Sequence, residues 1–445
     1  MALGGGGFTA QDKVLPGAYI NFVSVARAAM ILSERGYVAM PLEMDWGPDG
    51  EVFTLEAGDL PKQGQTLFGY AYTHEKMKGI RDLFKNARTL YGYRVNGGGV
   101  KAACDYGTAR YAGIRGNALR MVIELDEDEY TVRTLLDGRE VDRQQASGMG
   151  GLSDTDYVVF KRDAALQATA GIPFTGGTNT EPALADYQGF LDKIQGHSFQ
   201  AVGLVTDDEE IKKLFADFTK TMRDEMGIKF QTVLFRYAAD YEGVVSLDNT
   251  VAGSAAAGEG KAGEVELSAD ACVLVYWVTG AIAGCAVNAS NTNRTYDGEY
   301  TADTSYTQKE LEEAIQSGTF ILHKVGDEVR VLEDINTLVT LTEEKGEDFR
   351  GNQTMRVLDQ IGNDIAALFG NKYLGKIPND EAGRVSFWND VVTYYRELEK
   401  IRAIEDFKAD DIVITKGEGK KSIVARCPVT PINAMAQLYM TVVVQ

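Results

Sequence analysis

The sequence predicts an α+β multidomain protein in which a mixed α/β core carries an inserted small all-β domain. Three observations predict it. Residues 197–237 read strand, helix, strand, the order that favours a partly parallel sheet. Residues 100–180 carry short alternating strands and turns with no helical period. The sequence closes on an apolar strand, LYMTVVVQ (438–445), with no turn to bring it back to its own sheet. A chain of 445 residues, 44% of them hydrophobic, has the length of roughly two to four folded domains.

Residues 1–25 are expected to form an N-terminal arm and first strand: a glycine-rich, polar start, then VLPGAYINFVSVA (14–26), which alternates like a strand. The first segment of the core covers 26–99. RGYVAMPLEMDWGP (35–48) predicts a strand closed by a Gly-Pro turn. HEKMKGIRDLFKNA (74–87) predicts a helix with Met77, Ile80, Leu83 and Phe84 on one face, and TLYGYRV (89–95) the next strand. Glycines 97–99 open a small inserted β-rich domain, 100–180, with strands at 119–125, 130–136 and 156–160 and an acidic hairpin tip, DEDE (126–129). An α/β middle domain follows over 181–345. Its strand at 197–206 feeds a helix capped by Thr206 and Glu209, whose inward face is Ile211, Leu214, Phe215, Phe218 and Met222; 228–237 is the return strand. Residues 252–263 read as a surface loop, and the apolar run 271–287 as a buried strand entering a helix that Gly280 and Gly284 let pack closely. A capping box at Thr307 and Glu310 starts a helix ended by Gly318, and 320–325 with 329–334 reads as a hairpin. The C-terminal helical and β segment of the core, 346–436, carries a helix at 353–369 stopped by Gly370, a second at 385–401 and a strand at 411–415. Residues 437–445 are the C-terminal arm strand.

The net charge of −20 and pI near 4.7 argue against nucleic acid or an anionic membrane as partner, since an acidic surface repels both. Cys104, Cys272, Cys285 and Cys427 lie far apart, so they read as buried thiols in a reducing compartment, with neither disulfide nor zinc. The start MALGGGGF has no basic region before an apolar core, hence no signal peptide, and the run 271–287 is short for direct membrane insertion. His74, His197 and His323 are isolated, and no glycine cluster forms a phosphate cradle. The acidic tip lacks calcium-loop spacing and no GxSxG elbow exists. The expectation is no catalytic, metal or cofactor site.

Taken together, the segments resemble contractile tail sheath proteins. VLPGAYINF (14–22), RGYVAMPLEMDWGP (35–48), YAGIRGNALRMVI (111–123) and TGGTN (175–179) are similar to the first half of such sheaths. MRDEMG (222–227), 279–293, LEDINTLVT (332–340), VLDQIGNDIAALF (357–369), YLGKIPND (373–380) and TPINAMAQLYMTVVV (430–444) are similar to the second. The likeness is nearest to sheaths of defective prophages and R-type bacteriocins. It implies hexameric rings stacked around a tail tube, a core combining both chain ends, an outer insertion, and terminal arms exchanged with neighbours. It further implies tube, baseplate and tail terminator proteins as partners, and a virion tail or phage-tail-like particle made in the bacterial cytoplasm.

The residues support this reading of the arms on their own. A loose N-terminus and an unpaired last strand suit β-strand addition. The candidate joint residues are Tyr19, Ile20, Phe22 and Val23 at one end, and Leu438, Tyr439, Met440, Val442 and Val444 at the other. Residues 384–426 hold nine Lys or Arg against eight Asp or Glu, near neutral in an acidic chain. Arg396, Lys400, Arg402, Lys416, Lys420 and Lys421 are therefore candidates for contact with an acidic tube, ordinary solvated charge being the alternative. A static tube- or capsid-like polymer and an α/β enzyme with a site near 206 and 237 remain competing functions.

Overall fold

The computed structural model describes residues 5–6, 18–19, 32–253 and 271–444. Eight α-helices lie among them: α1 (Leu60–Phe68), α2 (Lys78–Leu83), α3 (Leu184–Ile194), α4 (Glu209–Lys220), α5 (Val275–Gly284), α6 (Gln308–Gln316), α7 (Asn352–Leu368) and α8 (Glu381–Lys400). The central sheet has seven strands in the order Thr319–Phe320, Val244–Leu247, Gln231–Phe235, Ala201–Gly203, Tyr37–Leu42, Thr89–Arg94, Val52–Glu56. All pairs are parallel except the last. Gln231–Phe235 and Val244–Leu247 are buried throughout, as a parallel sheet covered on both faces requires. Val38, Met40 and Leu42 point to a core shared with α1, α2 and α5, and Ala39 to the opposite core shared with α3 and α4.

Where sequence and fold differ, local physics explains it. The helix after Ala201–Gly203 is capped by Asp208, whose carboxylate accepts from Glu210 N and Ile211 N, while Thr206 only turns the chain into it. Residues 271–274 form a turn and not a strand, and α5 alone carries the apolar run. The close packing expected of its glycines is present. A Cβ on Gly280 would stand 2.3 Å from Leu83 O, and one on Gly284 1.9 Å from Asn86 O. Gly370 does not stop α7: the chain widens into a π-turn, Phe369–Tyr373, with Leu374 N on Phe369 O. The strand Val52–Glu56 and α1 carry no strong sequence signal and are revealed by the fold. The capping box at Thr307 and Glu310 is formed.

Between Arg94 and α3 the chain forms two antiparallel sheets around one core. One runs Arg139–Ala146, Glu129–Leu136, Leu119–Asp126, Thr169–Pro173, and the other Val158–Phe160, Gly107–Ala109, Ala103–Cys104. The acidic tip is the turn between Asp126 and Glu129, with Glu127 at φ 53°. A fourth core belongs to α7, α8 and the hairpin Val413–Lys416 with Ile423–Arg426. Among the described residues no helix is long and apolar enough to cross a membrane; of the cysteines expected to be buried, Cys272 and Cys285 are, while Cys104 and Cys427 are only half-buried.

Candidate functional site: the C-terminal arm and its anchor

Residues 432–444 belong to no strand. The chain last pairs at Thr430–Pro431, against Ile404–Glu405. Gln353 of α7 then holds it twice, donating to Ile432 O (2.9 Å) and accepting from Ala434 N (2.9 Å). Beyond Ala434 the side chains stand free: Met435 is fully exposed, Tyr439 88% and Val444 91%. Leu438, Met440 and Val442 are also exposed, so neither face of the expected strand is covered. At the other end, Tyr19 lies in the two-residue strand Ala18–Tyr19, parallel to Gly5–Gly6. Ile20, Phe22 and Val23 lie outside the described residues.

The hairpin Val413–Lys416 with Ile423–Arg426 packs Ile414 and Ile423 onto the α7–α8 core and shows Val413 and Val424 to solvent. It has two strands and no third on either edge among the described residues. A two-stranded hairpin is marginal in water, and a further strand stabilises it.

The six basic candidates are all exposed, but the fold divides them. Arg396, Lys400 and Arg402 lie at the C-terminal end of α8, with Lys400 paired to Glu397 (3.1 Å). Lys416, Lys420 and Lys421 lie toward its N-terminal end, where Asn379 Nδ2 donates to Lys420 O (3.1 Å). By helix rise the groups are on the order of 25 Å apart.

Helix α7 meets the α/β body through a buried polar seam that the sequence did not reveal. Arg223 donates to both carboxylate oxygens of Asp359 (2.7 and 2.8 Å). Arg356 donates to Ala289 O (2.8 Å) and Asp334 (3.1 Å), and Gln231 to Asn352 (2.7 Å). Asn363 exchanges two bonds with the backbone of Lys229 (3.0 and 2.7 Å). The π-turn after α4, Thr221–Glu225, carries Arg223. Polar residues at 352, 356, 359 and 363 recur at helical spacing, a signal obscured because polar usually means exposed.

A second missed feature joins the β-rich sheets to the body. Asn179 donates to Asp45 (2.8 Å) and accepts from Ile114 N (3.1 Å). A Cβ on Gly177 would stand 2.5 Å from Gly113 O, so TGGTN is a clasp between the two crossings. The nearby crevice at the C-terminal ends of Tyr37–Leu42 and Thr89–Arg94 is where an α/β enzyme would hold a ligand. It measures about 190 Å³, and its polar groups are engaged with one another: Asp45 with Tyr70 (2.6 Å), Asn96 with Met44 N (2.9 Å). Burial, then Glu181, push the Glu43 carboxyl above its ordinary range. His74 caps a turn and His197 lies against Tyr91.

Comparison with known proteins follows the chain in order. Residues 35–95 match the N-terminal region of domain III of tail sheath protein Gp18, 181–337 the phage tail sheath protein central domain, and 344–445 the phage tail sheath C-terminal domain. The phage-like element PBSX protein XkdK of Bacillus subtilis (strain 168) is 31% identical, over 99% of each chain. A sheath tail protein from Desulfitobacterium hafniense superposes with a TM-score of 0.81 at 34% identity, covering 94% of this chain and 98% of that one. One from Listeria innocua gives 0.74 at 30%, covering 91% and 94%. The contracted helical sheath of the anti-feeding prophage shares the fold alone, with TM-score 0.56 at 12% identity over 97% and 99% of the two chains. With the domain matches in sequence order and a relative this similar over its full length, the chain belongs to the phage tail sheath protein family, which is structural and not enzymatic.

Proposed function

We propose that the chain polymerises as stacked hexameric rings around a tail tube, and that contraction of this lattice drives the tube through a target cell envelope. The observation that carries this reading is the arm: an uncharged, apolar segment from Ala434 to Val444, exposed and unpaired, tied to the body only at its root. Added to the open edge of a neighbour's sheet, it gains main-chain hydrogen bonds and covers its apolar side chains. The hairpin Val413–Lys416 with Ile423–Arg426 offers such an edge, with one face already packed. The segment containing Tyr19, Ile20, Phe22 and Val23 forms the second arm. In this reading 26–99 and 346–436 are the two segments of the core, 181–345 is the α/β middle domain, and 100–180 decorates the outside. The two basic groups on α8 and the hairpin face an acidic tube at separate points. Baseplate and tail terminator proteins close the polymer's ends in a virion tail or phage-tail-like particle.

Deleting residues 437–445 tests it. The deletion should leave a soluble subunit with an unchanged thermal melt that no longer sediments as cylinders, and Val442→Pro should act similarly by removing a ladder donor. Normal cylinders from the deleted protein would refute the arm as a joint, and an unfolded monomer would place it in the subunit's own core.

A further inference from the structure

With the N-terminal arm as proposed, the chain enters its body at the same helix from which it leaves. Gln360 of α7 donates to Ser33 O (3.3 Å) and to the Ser33 hydroxyl, and Asp364 accepts from Ser33 N (3.4 Å). Arg35 donates to Gln360 Oε1 (3.4 Å), and also to Cys285 O (2.7 Å) and Ile282 O (3.2 Å). Burial, then the neighbouring Arg356 guanidinium, push the pKa of Arg35 down to about 9. Leu32 packs on the same core as Ile361 and Ile365 of α7.

Entry is therefore strapped at Gln360 and exit at Gln353, seven residues apart in the helix, which is about 10 Å along its axis. At 100° per residue these two share one stripe with Asp364. The seam residues Asn352, Arg356, Asp359 and Asn363 form a second stripe, bolted to the α/β body. Val357, Ile361, Ile365 and Leu368 form a third, set into the C-terminal core. Only the third is the apolar stripe of an ordinary surface helix.

We infer that α7 is a tension node: a pull on one chain end passes through this helix to the other, bypassing the central sheet. The inference rests on the reading of the chain ends as intersubunit arms. Without the straps, a pull on the entry side would act on Tyr37–Leu42, a strand in the interior of the central sheet. With them, force entering at Ser33 crosses two turns of α7 and leaves at Ala434. The body is joined to that path from the side.

Single-molecule pulling on the full-length monomer, with handles at its two ends, tests this. Gln353→Ala and Gln360→Ala should each lower the first rupture force; at fixed force Gln353→Ala should speed the first rupture about tenfold, the ratio expected for two lost hydrogen bonds, and Gln360→Ala, which loses three, at least as much. Later ruptures should stay in place. Gln353→Glu keeps the acceptor for Ala434 N and loses only the donor, so it should fall between. Val233→Ala, within the sheet, should lower later ruptures alone. A first rupture unchanged in both alanine variants, or one that already unfolds the central sheet, would overturn the node. The monomer is pulled alone, so failure of the arms as joints appears only in the cylinder assay, and failure of the node only here.

Discussion

Replacing Asp359 with alanine should be among the most destabilising single changes in the α7 seam. Arg223 is 2% exposed and Asp359 7%. The guanidinium spends its two terminal nitrogens on that carboxylate and one of them also on Phe230 O (2.5 Å), while Nε has no partner. Burial opposes its charge and Asp359 outweighs the burial, so the Arg223 pKa is raised. Removing the carboxylate leaves a buried cation uncompensated, a loss of about 3–5 kcal/mol. Replacing both partners, as Arg223→Met with Asp359→Leu, removes the charge together with its counterion and should come out near neutral. Native-state hydrogen exchange read by mass spectrometry resolves where the loss falls. Peptides from α7 and from Gln231–Phe235 should lose the protection, while those from Leu119–Asp126 and Glu129–Leu136, which have their own core, should keep it. The effect should survive added salt, because a buried pair is little screened. A loss below about 1 kcal/mol would show that the pair contributes no more than an exposed one, and an equal loss in the β-rich sheets would show that the seam is not the site of damage.

Other expectations follow from the same contacts. The crossings at Val100 and Thr178 are hydrogen-bonded (3.1 Å each way), so joining the chain across 100–180 suits the body, but Trp46 sits in the excised core. Deletion alone should aggregate and deletion with Trp46→Ser should be soluble, as soluble fraction would show. Gly284→Ala should cost about 1–3 kcal/mol by forcing α5 off Asn86 O, and an unchanged melting temperature would contradict it. The two Arg81 bonds (2.6 Å each) hold the Glu299 carboxyl below its usual range. That contribution is present above the unfolded pKa near 4.5 and is lost as pH falls through the lower folded value, so Glu299→Gln should flatten the acid limb of a stability–pH curve.

What could be read from the sequence was whatever depends on local pattern. Tyr37–Leu42, Thr89–Arg94 and Gln231–Phe235 announced themselves as apolar strands, and Thr307 with Glu310 as a cap, because neighbours in sequence determine both. Val52–Glu56 is an edge strand and half polar, and α1 has only two buried large side chains, Leu60 and Phe68, so neither carried a strong period. Arg139–Ala146, REVDRQQA, is strand by pairing with Glu129–Leu136 and not by composition. At the site, the uncharged apolar end was legible because composition needs no partner to be noticed, but the strand expected there does not form: residues 432–444 join no strand inside the subunit. The seam was not legible: Asp359 and Arg223 are far apart in the chain, and nothing in either segment says that the other buries it.

The arm and the seam solve opposite problems. Soluble sheets blunt a free strand with Lys or Pro, yet residues 434–444 contain neither, and no charge at all. An apolar segment left exposed in that state is an aggregation hazard unless its pairing is the purpose. Covering each large apolar side chain gains about 1.5–3 kcal/mol, and roughly five ladder bonds gain about 0.5–1.5 kcal/mol each, before association costs are subtracted. In the proposed lattice one such joint is moderate, and its repetition at every subunit gives stability through multivalency. The proposed contraction adds a second demand, because a trigger can release only a free-energy difference already present between two arrangements of the same interfaces. Joints must then survive while subunits reorient around them. An arm rooted on α7, as proposed, would meet that demand: the exposed length begins at Ala434, and the root is held by the helix whose polar stripe binds the body and whose apolar stripe binds the C-terminal unit.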